Sequence, residues 1–295
     1  MKLLGGIEGG GTSFTCVVAA DPNGRPVAEL KIPTAAPEET LTKVTSFFRG
    51  HDLRALGIAT FGPIDLRRES PTYGYITDTP KPGWRRTDLA GLMAETFRVP
   101  IGFDTDVNAS ALAETHYGAA AGLDCAVYLT VGTGIGGGVM IDGEMLHGLV
   151  HPEMGHIPVP REPGDAYPGC CVFHGDCLEG LASGPAIEGR WKEPPDTLPP
   201  GHEAWKLEAY YLARAVCATV YAISPQRIIF GGGVMKQKQL LPLIRRQVVE
   251  MLHDYVQSES ITRRIDEFIV EPGLGDRSGI VGALELARRA QADRR

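Results

Sequence analysis

Short apolar runs alternate with glycine-rich turns and amphipathic stretches along most of this chain. Near the amino terminus the pattern predicts three strands, which are separated by the glycines at 9–11 and by the turn sequence at 21–24. A helix is expected over about 37–48. A buried strand, a helix, another strand and another helix follow before residue 120. This alternation is typical of α/β proteins.

The opening pattern recurs in the middle of the chain. Three more strand-like runs begin at Cys125, and glycine-containing turns at 132–134 and 142–143 separate them. Two copies of the order strand, glycine turn, strand, turn, strand predict two related α/β halves.

Less regular segments complete the chain. We expect a helix over 182–191 and a surface linker over 193–201, whose prolines cannot continue that helix. A long helix is expected over 203–223, and a buried strand from Arg227 ends in glycines. The last helix is expected over about 278–289.

These elements predict two lobes. The first comprises residues 1–114 and the second comprises residues 115–277, which include a cysteine-rich loop at 150–180. The carboxy-terminal segment 278–295 is expected to pack back on the first lobe.

Composition and charge narrow the classes of function. The 295 residues are enough to bury a substantial core. A net charge of −7 argues against nonspecific nucleic-acid binding, so we expect no nucleic-acid partner. No apolar stretch reaches bilayer length and no signal-like segment opens the chain, so we expect no membrane association. Three of the six cysteines crowd one segment beside histidines, which fits a reducing cytoplasm better than a disulfide framework.

The most distinctive pattern is a set of two imidazoles and two thiols at close spacing. It consists of His156, Cys171, His174 and Cys177, the kind of donor set that binds zinc tetrahedrally. Because four protein ligands leave no open position for water or substrate, we predict a structural zinc site. Cys170 is an alternative thiol, although the spacing to His174 favours Cys171.

Two glycine turns carry candidate phosphate chemistry. The first contains Gly10, Gly11 and Thr12, and the second contains Thr133 and Gly134. Turns without side chains allow backbone N–H groups to approach phosphate oxygens, and the threonine hydroxyls add donors. A plain hairpin explains either turn alone, but their occurrence at equivalent places favours a polyphosphate site. Neither turn has the Walker lysine, so this is not a P-loop.

A third glycine turn ends the buried strand that starts at Arg227. It comprises Gly231, Gly232, Gly233 and Val234, at the end of a strand where open α/β sheets bind ligands. Because glycines have no side chains, the backbone of this turn can lie against a purine and ribose. A turn that leads into a helix is an equal alternative.

Acidic residues stand where a strand at 101–103 enters a helix. Asp104, Asp106 and Asn108 are therefore expected at the mouth of a cleft. One carboxylate there is able to take the proton of a substrate hydroxyl as it attacks phosphorus, and such base catalysis contributes ~10²–10⁴-fold in rate. Helix capping is the alternative interpretation, since Asp, Thr and Asn all cap helices.

In combination these patterns resemble the sugar kinases of the ROK family, and within it the zinc-containing fructokinases. The motifs occur in the same order from the first strand to the last helix. They are EGGGT at 8–12, YxxxTPKPGW at 75–84, DTDVN at 104–108, GTGIGGG at 132–138, HPEMGH at 151–156, CxxHGDCLEG at 171–180, GGGVM at 231–235 and PGLGD at 272–276.

The resemblance implies a two-lobed, duplicated actin/hexokinase-like (ribonuclease H-like) α/β fold. It also implies phosphoryl transfer from ATP to a hexose, with D-fructose giving fructose 6-phosphate. Asp106 would be the general base, and Glu153, Asp104 and Asn108 would bind the sugar. The residues implied for phosphate and adenosine binding are Gly10, Gly11, Thr12, Thr133, Gly134, Pro185, Gly231, Gly232, Gly233 and Val234.

Magnesium is implied as well, because phosphoryl transfer usually requires it with few protein ligands. Glu8 or Asp106 would reach the ion through water. The family commonly has lysine after the first Gly-Thr, whereas this chain has Ser13. We therefore expect the cation near the phosphates to be missing or to come from Lys236 or an arginine. The zinc site is expected to fix the sugar-binding turn.

Several alternatives remain at this point. Mannose or glucose are alternative sugars, because spacing does not reveal sugar preference. The family resemblance implies a homodimer whose small-molecule partners are a sugar and MgATP. A non-catalytic, sugar-responsive regulator of the same family is not expected, since regulators carry a helix-turn-helix segment before the first strand. A zinc-dependent nucleic-acid binder disagrees with the acidic balance.

Overall fold

The computed structural model describes residues 2–292. In chain order, the strands are β1 (Leu3–Gly9), β2 (Ser13–Ala19), β3 (Ala28–Pro33), β4 (Leu53–Thr60), β5 (Tyr75–Ile76), β6 (Thr87–Asp88), β7 (Ile101–Thr105), β8 (Cys125–Val131), β9 (Ile135–Ile141), β10 (Glu144–Met145), β11 (Arg227–Gly231) and β12 (Ile269–Val270). The α-helices are α1 (Pro37–Arg49), α2 (Leu89–Phe97), α3 (Asp106–Tyr117), α4 (Leu178–Ala182), α5 (Gly184–Trp191), α6 (Ala204–Ile223), α7 (Leu240–Leu252), α8 (Glu259–Thr262), α9 (Ile265–Phe268) and α10 (Ser278–Ala292).

Contacts within the chain define two compact units. The first unit contains the described residues up to Gly118, Glu144–Pro152 and the chain from Arg277 on, and the second contains Ala119–Gly143 and Glu153–Asp276. The lobes expected from the sequence place all of 115–277 together, whereas these contacts group residues 144–152 with the first unit. The lobe boundaries drawn from the sequence stay a prediction.

The first unit is built on a five-stranded sheet in the order β3-β2-β1-β4-β7. β1, β4 and β7 run parallel to one another, whereas β2 pairs antiparallel with both β1 and β3. β4 is buried along nearly its whole length, as expected for a parallel strand that is covered on both faces.

The second unit repeats this arrangement with β9, β8, β11 and β12 as successive neighbours in its sheet. β8 pairs antiparallel with β9, and it pairs parallel with β11, which in turn is parallel to β12. The predicted duplication of an α/β half is therefore confirmed by the order and direction of the strands.

Each unit has its own apolar core. In the first unit the core includes Phe14, Phe48 and the fully buried Trp84. In the second unit it includes Trp205 and Tyr211, which lie on the buried face of α6. Over residues 2–292 no helix combines the length and the apolar character that a bilayer span requires.

One helical prediction needs correction, and one long helix was missed. The single helix expected over 182–191 is two helices, because the chain bends at Ser183, whose side chain accepts a hydrogen bond from the amide of Ala186 as the N-cap of α5. The helix α7 was not predicted, although Leu241, Ile244 and Val248 form a buried helical stripe.

Helix α10 lies unusually close to the first sheet because glycines face it. A Cβ atom built on Gly57 lies 1.7 Å from the carbonyl oxygen of Ala283, and one built on Gly102 lies 2.3 Å from that of Leu286. Any larger side chain at these positions would push the helix from the sheet.

We therefore predict that Gly57→Ala destabilises the protein by about 1–3 kcal/mol or more, the usual cost of overpacking. Thermal and urea unfolding measure the loss. Gly201→Ala is the control, because no atom lies within 4 Å of its added Cβ. Equal stability of the two variants would contradict the close packing of α10.

Candidate active site

In the first unit, the parallel strands bring two predicted sites to one edge of the sheet. Gly9, the last residue of β1, is in register with Thr60 of β4, which is in register with Thr105 of β7. The first glycine turn and the acidic residues at the end of β7 therefore lie at adjacent strand ends. This is the edge where open α/β sheets bind ligands.

The first glycine turn is a tight connection between β1 and β2. The amide of Gly10 donates to the carbonyl of Ser13 (2.9 Å), and the hydroxyl of Thr34 donates to the carbonyl of Gly10 (2.9 Å). The amide of Thr34 donates to the carbonyl of Thr12 (3.0 Å). Thr12 itself is exposed, so its side chain is accessible to a ligand.

Asp104 is the centre of a buried hydrogen-bond array. Its side chain is 1% exposed. One carboxylate oxygen accepts from the amide of Thr105 (2.8 Å) and from the side-chain amide of Asn108 (2.7 Å). The other lies 2.9 Å from Nε2 of His147, and this hydrogen bond raises the pKa of His147. The array therefore holds a buried carboxylate with several partners, as a buried charge requires.

Asn108 retains an unused acceptor within this array. Its Oδ1 is buried and has no hydrogen-bond partner among residues 2–292. Buried polar atoms nearly always find partners, so an orphaned acceptor of this kind indicates a place for a ligand donor or a water. The N-cap of α3 is Thr105, whose hydroxyl accepts a hydrogen bond from the backbone amide of Asn108. Helix capping therefore does not involve Oδ1 of Asn108.

Asp106 is the first residue of α3. It is half-buried, and one carboxylate oxygen accepts a hydrogen bond from the amide of Val107 (2.9 Å). Burial raises the pKa of Asp106 to about 6, against the effect of this hydrogen bond. A carboxylate with this pKa is mostly ionised at neutral pH and is basic enough to accept a proton.

In the second unit, the second and third glycine turns lie side by side. They follow the neighbouring parallel strands β8 and β11. A Cβ atom on Gly132 would lie 3.8 Å from the amide nitrogen of Gly233. Gly232 has a φ of +95° and passes so close to β8 that an added Cβ would lie 2.3 Å from the carbonyl oxygen of Val131, so only glycine fits there.

The start of α5 joins these two turns. The amide of Gly184 donates to the carbonyl of Gly132 (2.7 Å), and a Cβ on Gly184 would lie 3.8 Å from the side chain of Val234. Pro185 and Thr133 are exposed. The residues that the resemblance assigns to the nucleotide in this unit are thus brought together.

Glu179 braces the second glycine turn and was not identified from the sequence. Its Oε2 accepts a hydrogen bond from the amide of Ile135 (2.9 Å). Glu179 lies in α4, two residues after Cys177, so this bond connects the turn to the cysteine-rich loop. Only the folded chain reveals the pairing, since the two residues are 44 positions apart.

The structure brings the four predicted metal ligands together. The donor atoms of His156, Cys171, His174 and Cys177 all lie within 4.8 Å of one another. Sγ of Cys171 is 3.7 Å from Nδ1 of both histidines, and Sγ of Cys177 is 3.5 Å from Nδ1 of His156. In a tetrahedral zinc site the bonds are about 2.3 Å to sulfur and 2.0–2.1 Å to nitrogen, so a sulfur ligand and a nitrogen ligand are about 3.6 Å apart. The observed distances agree with this separation.

The thiols around this cluster differ in environment. Burial raises the pKa of the Cys177 thiol to about 11, so a thiolate here needs the charge of a cation. Cys170 is exposed and lies outside the cluster, with its sulfur 3.7 Å from the hydroxyl of Ser183.

Glu153, the acidic residue assigned to the sugar by the family resemblance, lies just before the ligand His156. Its side chain is exposed, and its carbonyl accepts a hydrogen bond from the amide of His156.

Known proteins share both the sequence pattern and the fold of this chain. The pattern of the ROK family matches residues 4–290. A fructokinase of Zymomonas mobilis subsp. mobilis is 46% identical to it over 98% of both chains. A ROK hexokinase from Thermus thermophilus superposes with a TM-score of 0.75 at 27% identity, over 99% of both chains. A ROK family glucokinase from Streptomyces griseus, solved with glucose and AMPPNP, superposes with a TM-score of 0.77 over 97% of this chain and 99% of its own, at 24% identity.

The chain therefore belongs to the ROK family. Its fold is the α/β, actin/hexokinase-like fold of the ROK sugar kinases that it matches. The family assignment made from the motifs is confirmed.

The environment of Asp106 predicts a measurable cost to stability. Its folded-state pKa of about 6 lies above the ordinary value of 3.8, so its ionised form disfavours folding above pH 6. A difference of about two pKa units corresponds to about 3 kcal/mol. Asp106→Asn should therefore raise the free energy of unfolding at pH 7.5 by up to about 3 kcal/mol, and should give no such gain near pH 4.

Urea unfolding at the two pH values measures this difference. Asp52→Asn is the control, because Asp52 is exposed in the same unit. A stability change for Asp106→Asn that is the same at both pH values would contradict the raised pKa.

Proposed function

We propose that the protein transfers the γ-phosphoryl group of MgATP to a hexose, with D-fructose giving fructose 6-phosphate and with Asp106 as the general base. The observation that carries this proposal is the half-buried Asp106 carboxylate with a pKa of about 6, next to the buried Asp104 array at the ligand-binding edge of the sheet. Sequence identity of 46% to a fructokinase supports fructose as the acceptor.

In this reaction Asp106 accepts the proton of a sugar hydroxyl. The hydroxyl oxygen forms a bond to the γ-phosphorus while the bond from that phosphorus to the bridging oxygen breaks, and ADP leaves. A base of this kind contributes ~10²–10⁴-fold in rate. At neutral pH most Asp106 carboxylates are ionised, and protonation below about pH 6 removes the base.

The sugar is held by further polar groups, of which Asp104 and Asn108 lie close to Asp106 in the first unit. The orphaned Oδ1 of Asn108 is an acceptor for a hydroxyl proton. Asp104 orients the Asn108 amide through the 2.7 Å hydrogen bond. Glu153 adds a carboxylate from the turn before His156. Hydroxyl groups of a hexose match such acceptors, since each carries a donor.

The glycine turns hold the nucleotide. Thr12 and Thr133 offer exposed hydroxyls to the phosphates, together with the neighbouring backbone amides of Gly10, Gly11 and Gly134. The adenosine lies against the adjoining residues Pro185, Gly231, Gly232, Gly233 and Val234. Magnesium, when bound with ATP, would neutralise phosphate charge, and Glu8 or Asp106 would hold it through water.

Zinc is the metal that fits the cluster of two histidines and two cysteines. Its role is structural, because all four positions of a tetrahedron are filled by the chain. The ion fixes the turn that carries Glu153 and, through α4, the position of Glu179. A homodimer stays a prediction of the family resemblance, and a cytoplasmic location stays a prediction from the cysteine distribution.

A coupled ADP-release assay over a panel of hexoses tests the proposal. We expect turnover with fructose to exceed that with mannose or glucose, and kcat/KM to fall below about pH 6. Asp106→Asn should lower kcat by ~10²–10⁴-fold, while Asp52→Asn remains active. No ADP release with any hexose would refute a sugar kinase, and normal turnover of Asp106→Asn would refute its role as the base.

The zinc assignment is tested with two cysteine variants of one loop. Cys177→Ser should lose the zinc, lower the melting temperature and lower activity at least ~10-fold, because such sites contribute ~10–16 kcal/mol to folding in small domains. Cys170→Ser should keep about one zinc per chain and normal activity. Metal content by atomic emission and thermal unfolding distinguish them. A zinc-free Cys170→Ser, or a zinc-loaded and stable Cys177→Ser, would contradict the ligand set.

A further inference from the structure

A lysine from a distant loop reaches the first glycine turn. Lys81 lies in the loop between β5 and β6, and its ammonium group donates a hydrogen bond to the carbonyl of Gly11. Gly11 and Thr12 belong to the turn that holds phosphates in the proposed function. A full positive charge is therefore positioned at that turn.

The loop that carries Lys81 is fixed to the strand that follows the turn. Trp84 is fully buried, and its ring stacks on Phe14 of β2 with a centroid distance of 5.1 Å and an interplanar angle of 20°. Its indole N–H donates to the carbonyl of Ala35 (2.9 Å). The amide of Lys81 donates to the hydroxyl of the buried Thr79 (3.3 Å). The ammonium is thus placed by a packed loop.

Other cations considered for this role are engaged elsewhere. Lys236 forms an exposed ion pair with Asp276 (2.9 Å) in the second unit, and Arg85 forms one with Asp78 (2.6 Å). Ser13, which follows the turn, carries no charge. An ammonium group has three N–H donors, so Lys81 can hold the Gly11 carbonyl and still donate to phosphate oxygens.

We propose that Lys81 binds the terminal phosphate of the nucleotide and stabilises the charge that develops on the phosphoryl group during transfer. This inference rests on the proposed function. Lys81 takes no part in the proton transfer: Asp106 takes the proton of the sugar hydroxyl, the hydroxyl oxygen bonds to the γ-phosphorus, and the bond to ADP breaks. Charge stabilisation by one such donor is worth ~10²–10³-fold in kcat.

Three variants test the inference. Lys81→Met removes the charge and the donor, and Lys81→Gln keeps an N–H donor for Gly11 without the charge. Lys31→Met is the matched control, because Lys31 is an exposed lysine on β3 of the same unit. The measurements are kcat/KM for MgATP, the KM for the sugar, the melting temperature, and the affinities for AMPPNP and ADP by calorimetry.

We expect both Lys81 variants to lose ~10²-fold in kcat/KM for MgATP, with the KM for the sugar changed less than about twofold. Affinity for AMPPNP should fall more than affinity for ADP, which lacks the terminal phosphate. Lys31→Met should match the wild type. Equal losses of AMPPNP and ADP affinity, or a lowered melting temperature alone, would overturn the inference in favour of simple bracing of the turn.

The binding comparison also separates this inference from the proposed function. If the wild type phosphorylates no hexose, the kinase proposal fails. The difference between AMPPNP and ADP in the Lys81 variants still decides whether Lys81 contacts the terminal phosphate. If the wild type is an active kinase and Lys81→Gln is indistinguishable from Lys31→Met, only the inference about Lys81 fails.

Discussion

The hydrogen bonds that converge on the buried carboxylate of Asp104 determine the geometry of the candidate active site. A carboxylate this deeply buried is tolerated only when its charge has partners. Thr105, Asn108 and His147 supply them from the end of β7, the first turn of α3 and the segment 144–152. The array therefore sets the point at which strand becomes helix, and with it the position of Asp106.

The same constraint separates the roles of two neighbouring carboxylates. Asp104 is surrounded by donors and acts as an anchor. Asp106 receives one amide hydrogen bond, and burial raises its pKa to about 6. The two environments therefore suit Asp104 to an anchoring role and Asp106 to the role of base proposed above, and such differences between neighbouring carboxylates are common where acid–base chemistry is performed.

In the segment between β10 and α4, the proposed zinc site would supply stabilisation that little regular secondary structure provides. Between β10 and α4 the chain forms one 3₁₀ turn, Met154–His156, and isolated bridges such as the pairing of Pro158 with Cys177. Val172 and Phe173 beside the ligands are exposed, at 78% and 62%, so apolar burial contributes little at that point of the loop. Four ligands on the proposed zinc ion would hold the loop there, and the hydrogen bond from the Ile135 amide to Glu179 connects the loop to the second glycine turn.

Much of this organisation was predictable because its signals are local in the sequence. The repeated strand pattern, the glycine turns and the spacing of the four ligands each lie within short segments, and the two cysteines of the cluster are those expected. The break at Ser183 was also readable from its N-cap serine and Pro185. In α7 the apolar periodicity was present in the sequence, but Pro242 interrupts the pattern near its start.

The partners of His147, Lys81 and Glu179 were not predictable, because each contact joins residues more than 40 positions apart. No periodicity or spacing encodes such a pairing.

The most direct measurement is the crystal structure of the protein with fructose and AMPPNP. The account predicts a carboxylate oxygen of Asp106 about 2.6–3.2 Å from the sugar hydroxyl that faces the γ-phosphate. A different side chain at that hydroxyl, with Asp106 turned away in every copy, would contradict it.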